Sequence, residues 1–199
     1  MSQEPSDTDL TLATSLGQIP SVTAILAAVG LGPNYNGVSP AVLERKRLLG
    51  SALHWAVHYD ALSVLDETSV HPDIQPSLAL WRAWLAESGF RVLQTELEII
   101  HPRWLFLGHP DAICLMPKGG HAILDLKLVA SVDKSAVALQ LAGYRILVQD
   151  VLKLPVSTCA ALQIDGGRYR YLDLTTQAIA ESQTFLAALI VFKARQRRR

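Results

Sequence analysis

The stretch GHPDAICLMPKGGHAILDLKL, residues 108–128, sets Asp111, Asp125 and Lys127 among residues that are mostly apolar. Burying an isolated charge is costly, so ionisable groups on segments of this texture require a cation, a charged partner or a ligand. In an extended segment alternate residues share a face, which puts Asp125 and Lys127 side by side while Leu124, Leu126 and Leu128 point the other way. If the turn at PKGG holds an odd number of residues, Asp111 of the preceding strand joins the face of Asp125. Glu96, between Leu93 and Leu97, is placed to add a third acidic oxygen donor. Hard divalent cations such as Mg²⁺ take carboxylate, carbonyl and water oxygens, and a phosphate ligand brings further oxygens. His54 is a softer ligand that suits Mn²⁺. Singly, each group has an ordinary reading: a strand ion pair, a turn aspartate after GHP, a solvated strand glutamate, a satisfied helix histidine.

Helices and strands must bring these groups together. Residues 20–30 have a helical apolar pattern, with Ser21 or Thr23 as cap and Gly30 as stop, and LGPNYNGVSP (31–40) reads as a loop. Residues 40–62 repeat apolar positions at helical spacing, with Leu49, Leu53, Ala56 and Val57 on one stripe and His54 beside it. A third helix covers residues 75–89, with Leu80, Trp84 and Leu85 toward the core and Gly89 as its end. Residues 90–100, 103–116 and 121–130, rich in branched and aromatic side chains, predict three consecutive strands, the last two joined by a PKGG hairpin. Residues 135–152 return to helical spacing and put Gln140 and Tyr144 one turn apart on one face. Two strands follow, 156–164 and 168–174, joined at Asp165-Gly166-Gly167, and then a last helix over 176–196. The expected class is α/β, a small mixed β-sheet flanked by helices.

With 199 residues, 50% hydrophobic and 18% charged, the chain suits one globular domain. We assign residues 1–18 to a flexible lead-in, 19–194 to a single domain and 195–199 to a basic tail. Lys+Arg and Asp+Glu both number 18, so there is no global basic field, and positive charge gathers only in KARQRRR at the end. Cys114 and Cys159 are the only cysteines, too few for a disulfide framework or a cysteine-based zinc or iron–sulfur site. The start, MSQEPSDTDLTLATS, is polar and acidic rather than signal-like, and no run of about 18 apolar residues suggests a membrane span. The expectation is a soluble, cytoplasmic protein.

The order of the motifs carries more than any one of them. Gly50 to His54, Glu96, Gly108-His109-Pro110-Asp111, Asp125-Leu126-Lys127, and Gln140 to Tyr144 follow one another as in the PD-(D/E)xK nuclease superfamily. The sequence resembles its RecB-like exonuclease branch over residues 50–144, and PSVTAIL upstream is similar to the leading segment of the mitochondrial genome maintenance exonuclease group. The resemblance implies a restriction-endonuclease-like core and a metal-dependent deoxyribonuclease using Mg²⁺ or Mn²⁺. Asp111 and Asp125 would be the main metal ligands, joined by His54 and the backbone carbonyl of Leu126, with Glu96 acting through water. Lys127 would orient or activate the attacking water, and Gln140 and Tyr144 would order the site, with Tyr144 touching the DNA strand. Arg145 and Lys134 would add phosphate contacts. No helicase motor and no cysteine cluster like the iron–sulfur staple of some relatives accompanies these motifs.

Metal-assisted phosphodiester hydrolysis needs a cation to polarise the phosphate and acidify a water, with charge stabilisation beside it, and these residue types provide both. The function expected is DNA exonuclease activity on a free end or single strand, in viral or bacterial recombination or repair, inside a bacterial or virus-infected cell. A DNA endonuclease with the same site, a catalytically silent DNA-binding module, and a structural α/β protein whose motif residues form surface ion pairs are the competing readings.

Overall fold

The computed structural model describes residues 19–33, 37–165 and 167–197. The expected lead-in (1–18), part of the 31–40 loop, Gly166 of the second turn, and Arg198 and Arg199 of the tail lie outside the described residues.

Local chemistry sets the helix ends as expected. Helix α1 (Val22–Ala28) starts at Ser21, whose Oγ accepts the Ala24 N–H at 3.1 Å, and Gly30 turns the chain out at φ +80°. Helix α2 (Pro40–Ala61) is capped by Ser39 and opens with a proline, which needs no helical N–H partner there. Helix α3 (Gln75–Ser88) stops at Gly89, φ +68°. Its buried stripe differs from the expected one. Leu78, Trp81 and Trp84 face the core, while Leu80 and Leu85 are only partly buried, because the apolar phase is set from Ile74 at i, i+4, i+7 and i+10.

The three expected strands become five. Strand β1 (Arg91–Thr95) ends where Glu96 takes φ +51°, so Glu96 lies just beyond the strand rather than in it. The chain then makes a separate ribbon, β2 (Ile99–Ile100) with β3 (Leu107–Gly108), around a turn in which His101 Nδ1 accepts the N–H groups of Arg103 and Trp104. Strands β4 (Ala112–Leu115) and β5 (His121–Lys127) form the expected hairpin, with Gly119 and Gly120 at φ +84° and +85°. Helix α4 (Lys134–Asp150) crosses to β6 (Val156–Asp165), parallel to β5, and β7 (Arg168–Asp173) pairs back on β6.

The main sheet has the order β1-β4-β5-β6-β7, so β5 is central and buried on both faces. Leu124, Leu126 and Leu162 pack on one face against α2 and α3. Ile123, Cys159 and Ala161 pack on the other against α1, α4 and the C-terminal helices. Gly143 is needed in α4 because a Cβ there would meet Phe185 and Val22 at 2.9 Å. The single helix expected at the end is two, α5 (Thr175–Ala180) and α6 (Ser182–Gln196), broken where Ser182 Oγ donates back to the Ala178 carbonyl. Helix α6 ends at Gln196, where the last expected helix ends, so Arg195 and Gln196 of the expected basic tail are helical. Lys193 donates to the Trp104 carbonyl and Arg195 to the Ala28 carbonyl at the end of α1, so these two cations dock the helix. Among the described residues no helix is long and apolar enough to cross a membrane.

Candidate metal centre

Antiparallel pairing of β4 with β5 sets Ala112 opposite Leu124. Continuing that register brings Pro110 opposite Leu126, and proline has no N–H to give, so the ladder stops there. The edge of β5 is left open just where the ionisable residues stand. Two side chains take the place of the missing strand: Asp111 Oδ2 accepts the Leu126 N–H at 2.5 Å, and His54 Nε2 lies 3.3 Å from the Leu126 carbonyl.

His54 comes from α2, beside the buried Leu53 and Val57, and reaches around the open edge. Its Nδ1 lies 3.2 Å from Glu96 Oε1 and 3.3 Å from Asp111 Oδ1. Donor atoms of His54, Glu96 and Asp111 all fall within 4.8 Å of one another, the spread of ligands around one cation. Glu96 is turned inward by its left-handed backbone, a conformation unfavourable for a residue with a side chain and one that recurs at functional sites. Its N–H donates to the Asp111 carbonyl, tying the end of β1 to the start of β4.

Asp125 is wholly buried on the α4 face of β5 and stands outside that three-residue cluster. The Lys127 ammonium lies 3.0 Å from its Oδ1 and 2.9 Å from its Oδ2, with the hydrogen bond going to Oδ1, and Oδ2 makes the ion pair but no hydrogen bond among the described residues. Lys127 also donates to Gln140 Oε1 at 3.3 Å, and Gln140 Nε2 donates to the Tyr144 hydroxyl at 3.0 Å. The expected i, i+4 pair on α4 is therefore a brace behind the lysine.

Electrostatics marks the cluster as short of positive charge. Burial disfavours charged His54, yet the carboxylates of Asp111, Glu96 and Asp125 outweigh it and raise the imidazole to about 9. Burial pushes the Asp111 carboxyl up to about 7, with Asp125 and Glu96 adding to the shift and His54 and Lys127 opposing it. A proton on His54 thus balances the carboxylates in the metal-free chain. The donor set fits a divalent cation: the His54 imidazole, the Glu96 and Asp111 carboxylates and the Leu126 carbonyl suit Mg²⁺ or Mn²⁺, and the buried Asp125 carboxylate, paired with Lys127, stands next to Leu126 on the same strand.

The remaining expected residues stand apart. Tyr144 is buried, with burial foremost in raising its phenol far above the usual value, so it supports Gln140 from within and presents no surface to a strand. Arg145 is half-buried near Cys159, where it opposes the burial that raises that thiol to about 12, and its buried Nε has no hydrogen-bond partner among the described residues. Lys134 is exposed in the first turn of α4. Two supporting residues escaped sequence reasoning. Gln163, paired in register with Lys127, donates to the carbonyls of Val129 and Ala130 and pins the chain leaving β5. His58 sits one turn beyond His54 and holds Thr95 Oγ1 at 2.7 Å, and its i+4 spacing was the available signal.

No protein-family model matches the chain, and no curated protein matches it in sequence. Among solved structures it is similar to the alkaline exonuclease LHK-Exo of Laribacter hongkongensis at 15% identity and a TM-score of 0.44, over 74% of this chain and 81% of that one. The complex of LHK-Exo with dAMP gives 14% identity and 0.48, over 93% and 92%. A protein of Eubacterium rectale described as a candidate exonuclease gives 8% identity and 0.48, over 98% and 88%. At such values the chain's own residues must carry its function.

Proposed function

We propose that the chain is a divalent-metal-dependent deoxyribonuclease of the PD-(D/E)xK type, an exonuclease of the RecB-like branch that hydrolyses phosphodiester bonds at a free DNA end. The observation that supports this reading best is the open edge of β5. There His54, Glu96 and Asp111 gather beside Leu126, with His54 at its carbonyl and Asp111 at its N–H, and Asp125 and Lys127 stand on the same strand. Asp111, Asp125, His54 and the Leu126 carbonyl would hold Mg²⁺ or Mn²⁺, and Glu96 would join them directly or through water. Bound there, the cation supplies Lewis acidity toward a phosphate oxygen and lowers the pKa of a water.

The chain's own groups do the rest. Lys127, held between Asp125 and Gln140, orients the attacking water and offsets charge that builds on the phosphate oxygens. Gln140 and Tyr144 fix the lysine, a geometry that rigid helix and strand positions keep precise. His54 must release its proton to act as a ligand. Lys134 is exposed and free to meet phosphates, and Arg145 contributes a second positive charge on α4. Bacterial or viral recombination or repair in the cytoplasm is a setting that suits this activity.

The test is digestion of end-labelled linear DNA, single- and double-stranded, beside covalently closed circles, with Mg²⁺, Mn²⁺ or EDTA. Loss of label from linear DNA only, dependent on metal and abolished by Asp125→Ala, is the expected result. Cutting of circles would turn the reading to an endonuclease. Binding with no metal-dependent cleavage would overturn the enzyme reading and leave a DNA-binding module.

A further inference from the structure

Glu96 reaches the metal centre from a position that has to be held. It is the first residue beyond β1 and sits at φ +51°, a left-handed backbone that crowds the Cβ of any residue but glycine. The ladder between β1 and β4 ends one residue earlier, at Thr95 opposite Ala112. The backbone tie of Glu96 itself is long, an N–H donated to the Asp111 carbonyl at 3.4 Å.

Thr95 is where the end of β1 is gripped. It is buried, and its Oγ1 lies 2.7 Å from His58 Nδ1, the one hydrogen bond its hydroxyl makes among the described residues. A buried hydroxyl without a partner is costly, so this bond resists any turn of the strand end that would break it. His58 is constrained in its turn, because Trp55 and Tyr59 meet the imidazole edge-on at 5.8 and 5.5 Å between centroids. It stands one turn beyond His54 on α2, and His54 Nδ1 lies 3.2 Å from the Glu96 carboxylate. One helix thus holds two neighbouring residues, Thr95 through His58 and Glu96 through His54. Two apolar side chains of the same shape would fill the place of His58 and Thr95 at little cost to stability, so what the polar pair adds is direction.

Resting on the metal-dependent reading of this site, we infer that His58 and Thr95 are positioning residues for Glu96, holding its carboxylate toward the cation and so setting metal affinity without touching the ion. Groups that orient metal ligands in this way change affinity about 10–100-fold when they are removed. The brace lies on the side of the centre opposite Lys127, Gln140 and Tyr144, which come from β5 and α4, so the two sets of supports act on different groups.

The test titrates Mn²⁺ calorimetrically into the full chain without DNA, for the wild type, Thr95→Val, Thr95→Ser, His58→Ala and His58→Asn. Thr95→Val and His58→Ala should each weaken Mn²⁺ binding about 10-fold. Thr95→Ser keeps the hydroxyl and His58→Asn keeps a side-chain N–H, so each should restore most of the affinity. The double variant of Thr95→Val with His58→Ala should be no weaker than the worse single one, because the same bond is lost either way. In a Glu96→Ala background neither change should weaken binding further. Single-turnover cleavage should need more Mn²⁺ yet come within a few-fold of the wild-type rate once metal saturates, a split that a merely loosened fold would not produce. Melting in EDTA shows which variants fold, and the two threonine variants decide the matter if His58→Ala does not. Wild-type Mn²⁺ affinity in Thr95→Val, losses that add in the double variant, or an undiminished loss in the Glu96→Ala background would each overturn the brace. A wild type that binds Mn²⁺ but cleaves no DNA would sink the nuclease reading alone, since the affinities still decide the brace.

Discussion

Asp111→Asn should make the metal-free protein more stable, and increasingly so as pH rises. Burial chiefly raises the Asp111 carboxyl from 3.8 to about 7. Between those values the folded chain keeps a proton that the unfolded chain has released, so each increment of pH costs the fold stability. The span is roughly three pH units at about 1.4 kcal/mol each, on the order of 4 kcal/mol above pH 7 and on the order of 2 kcal/mol at pH 5. Asparagine still offers an oxygen to the Leu126 N–H that Asp111 now satisfies, so the substitution removes the charge without orphaning that donor. For a chain of this length the difference corresponds to a melting temperature on the order of 10 °C higher at pH 8.5. The assay is thermal melting in EDTA at several pH values from 5 to 8.5, repeated in Mn²⁺. Metal at 100 times its dissociation constant should return about 2.7 kcal/mol to the wild type and little to the variant, narrowing the gap to about 1 kcal/mol above pH 7 and reversing it at pH 5. A variant that melts at or below the wild type in EDTA at pH 8.5, or a gap that does not widen from pH 5, would refute the reasoning.

Other expectations concern the same site and its supports. His54, raised from 6.5 to about 9, contributes stability that is present below pH 6.5 and lost as pH passes 9; Mn²⁺ competes with that proton, so calorimetric affinity should climb with pH toward 9 and the climb should flatten in His54→Ala. Asp125→Ala should lose both Mn²⁺ binding and cleavage, whereas Lys127→Ala should keep the metal and lose on the order of 10²–10⁴ in single-turnover rate; wild-type rates in the latter would remove Lys127 from the mechanism. Gly143→Ala drives a methyl group into Phe185 and Val22 and should cost about 1–3 kcal/mol in denaturant titrations while the folded fraction stays active. Deleting residues 197–199 should lower DNA affinity and flatten its salt dependence without changing the melting point. Arg195→Gln, which loses the bond to the Ala28 carbonyl, should instead show a small loss in melting temperature.

Much of the site was legible because its signals are local. Asp125 and Lys127 share a face by strand parity alone, and the glycines of the PKGG hairpin made an odd turn that carried Asp111 to the same position. Gln140 and Tyr144 needed only a helix of 3.6 residues per turn to hydrogen-bond. Glu96 lies among the expected polar groups but just beyond the strand it was expected in, because nothing local announces a non-glycine residue in the left-handed region. Trp81 and Leu78 were passed over for Leu80 and Leu85 because an apolar helix rich in leucine and tryptophan admits more than one stripe until the sheet selects one.

By itself the sequence determined the capped ends of the first three helices, the β4–β5 hairpin and the alternation that puts a carboxylate beside a lysine, since caps, turns and parity act over a few residues. Only the tertiary structure decided that β4 stops at Pro110, that α2 swings His54 around the exposed edge of β5 to the Leu126 carbonyl, and that Gln163 braces the chain beyond it. It also decided that Lys193 and Arg195 dock the last helix and that Tyr144 faces inward. These outcomes join residues tens of positions apart, and which of two polar groups meets which depends on how the layers pack, a free-energy balance that no short window of sequence contains.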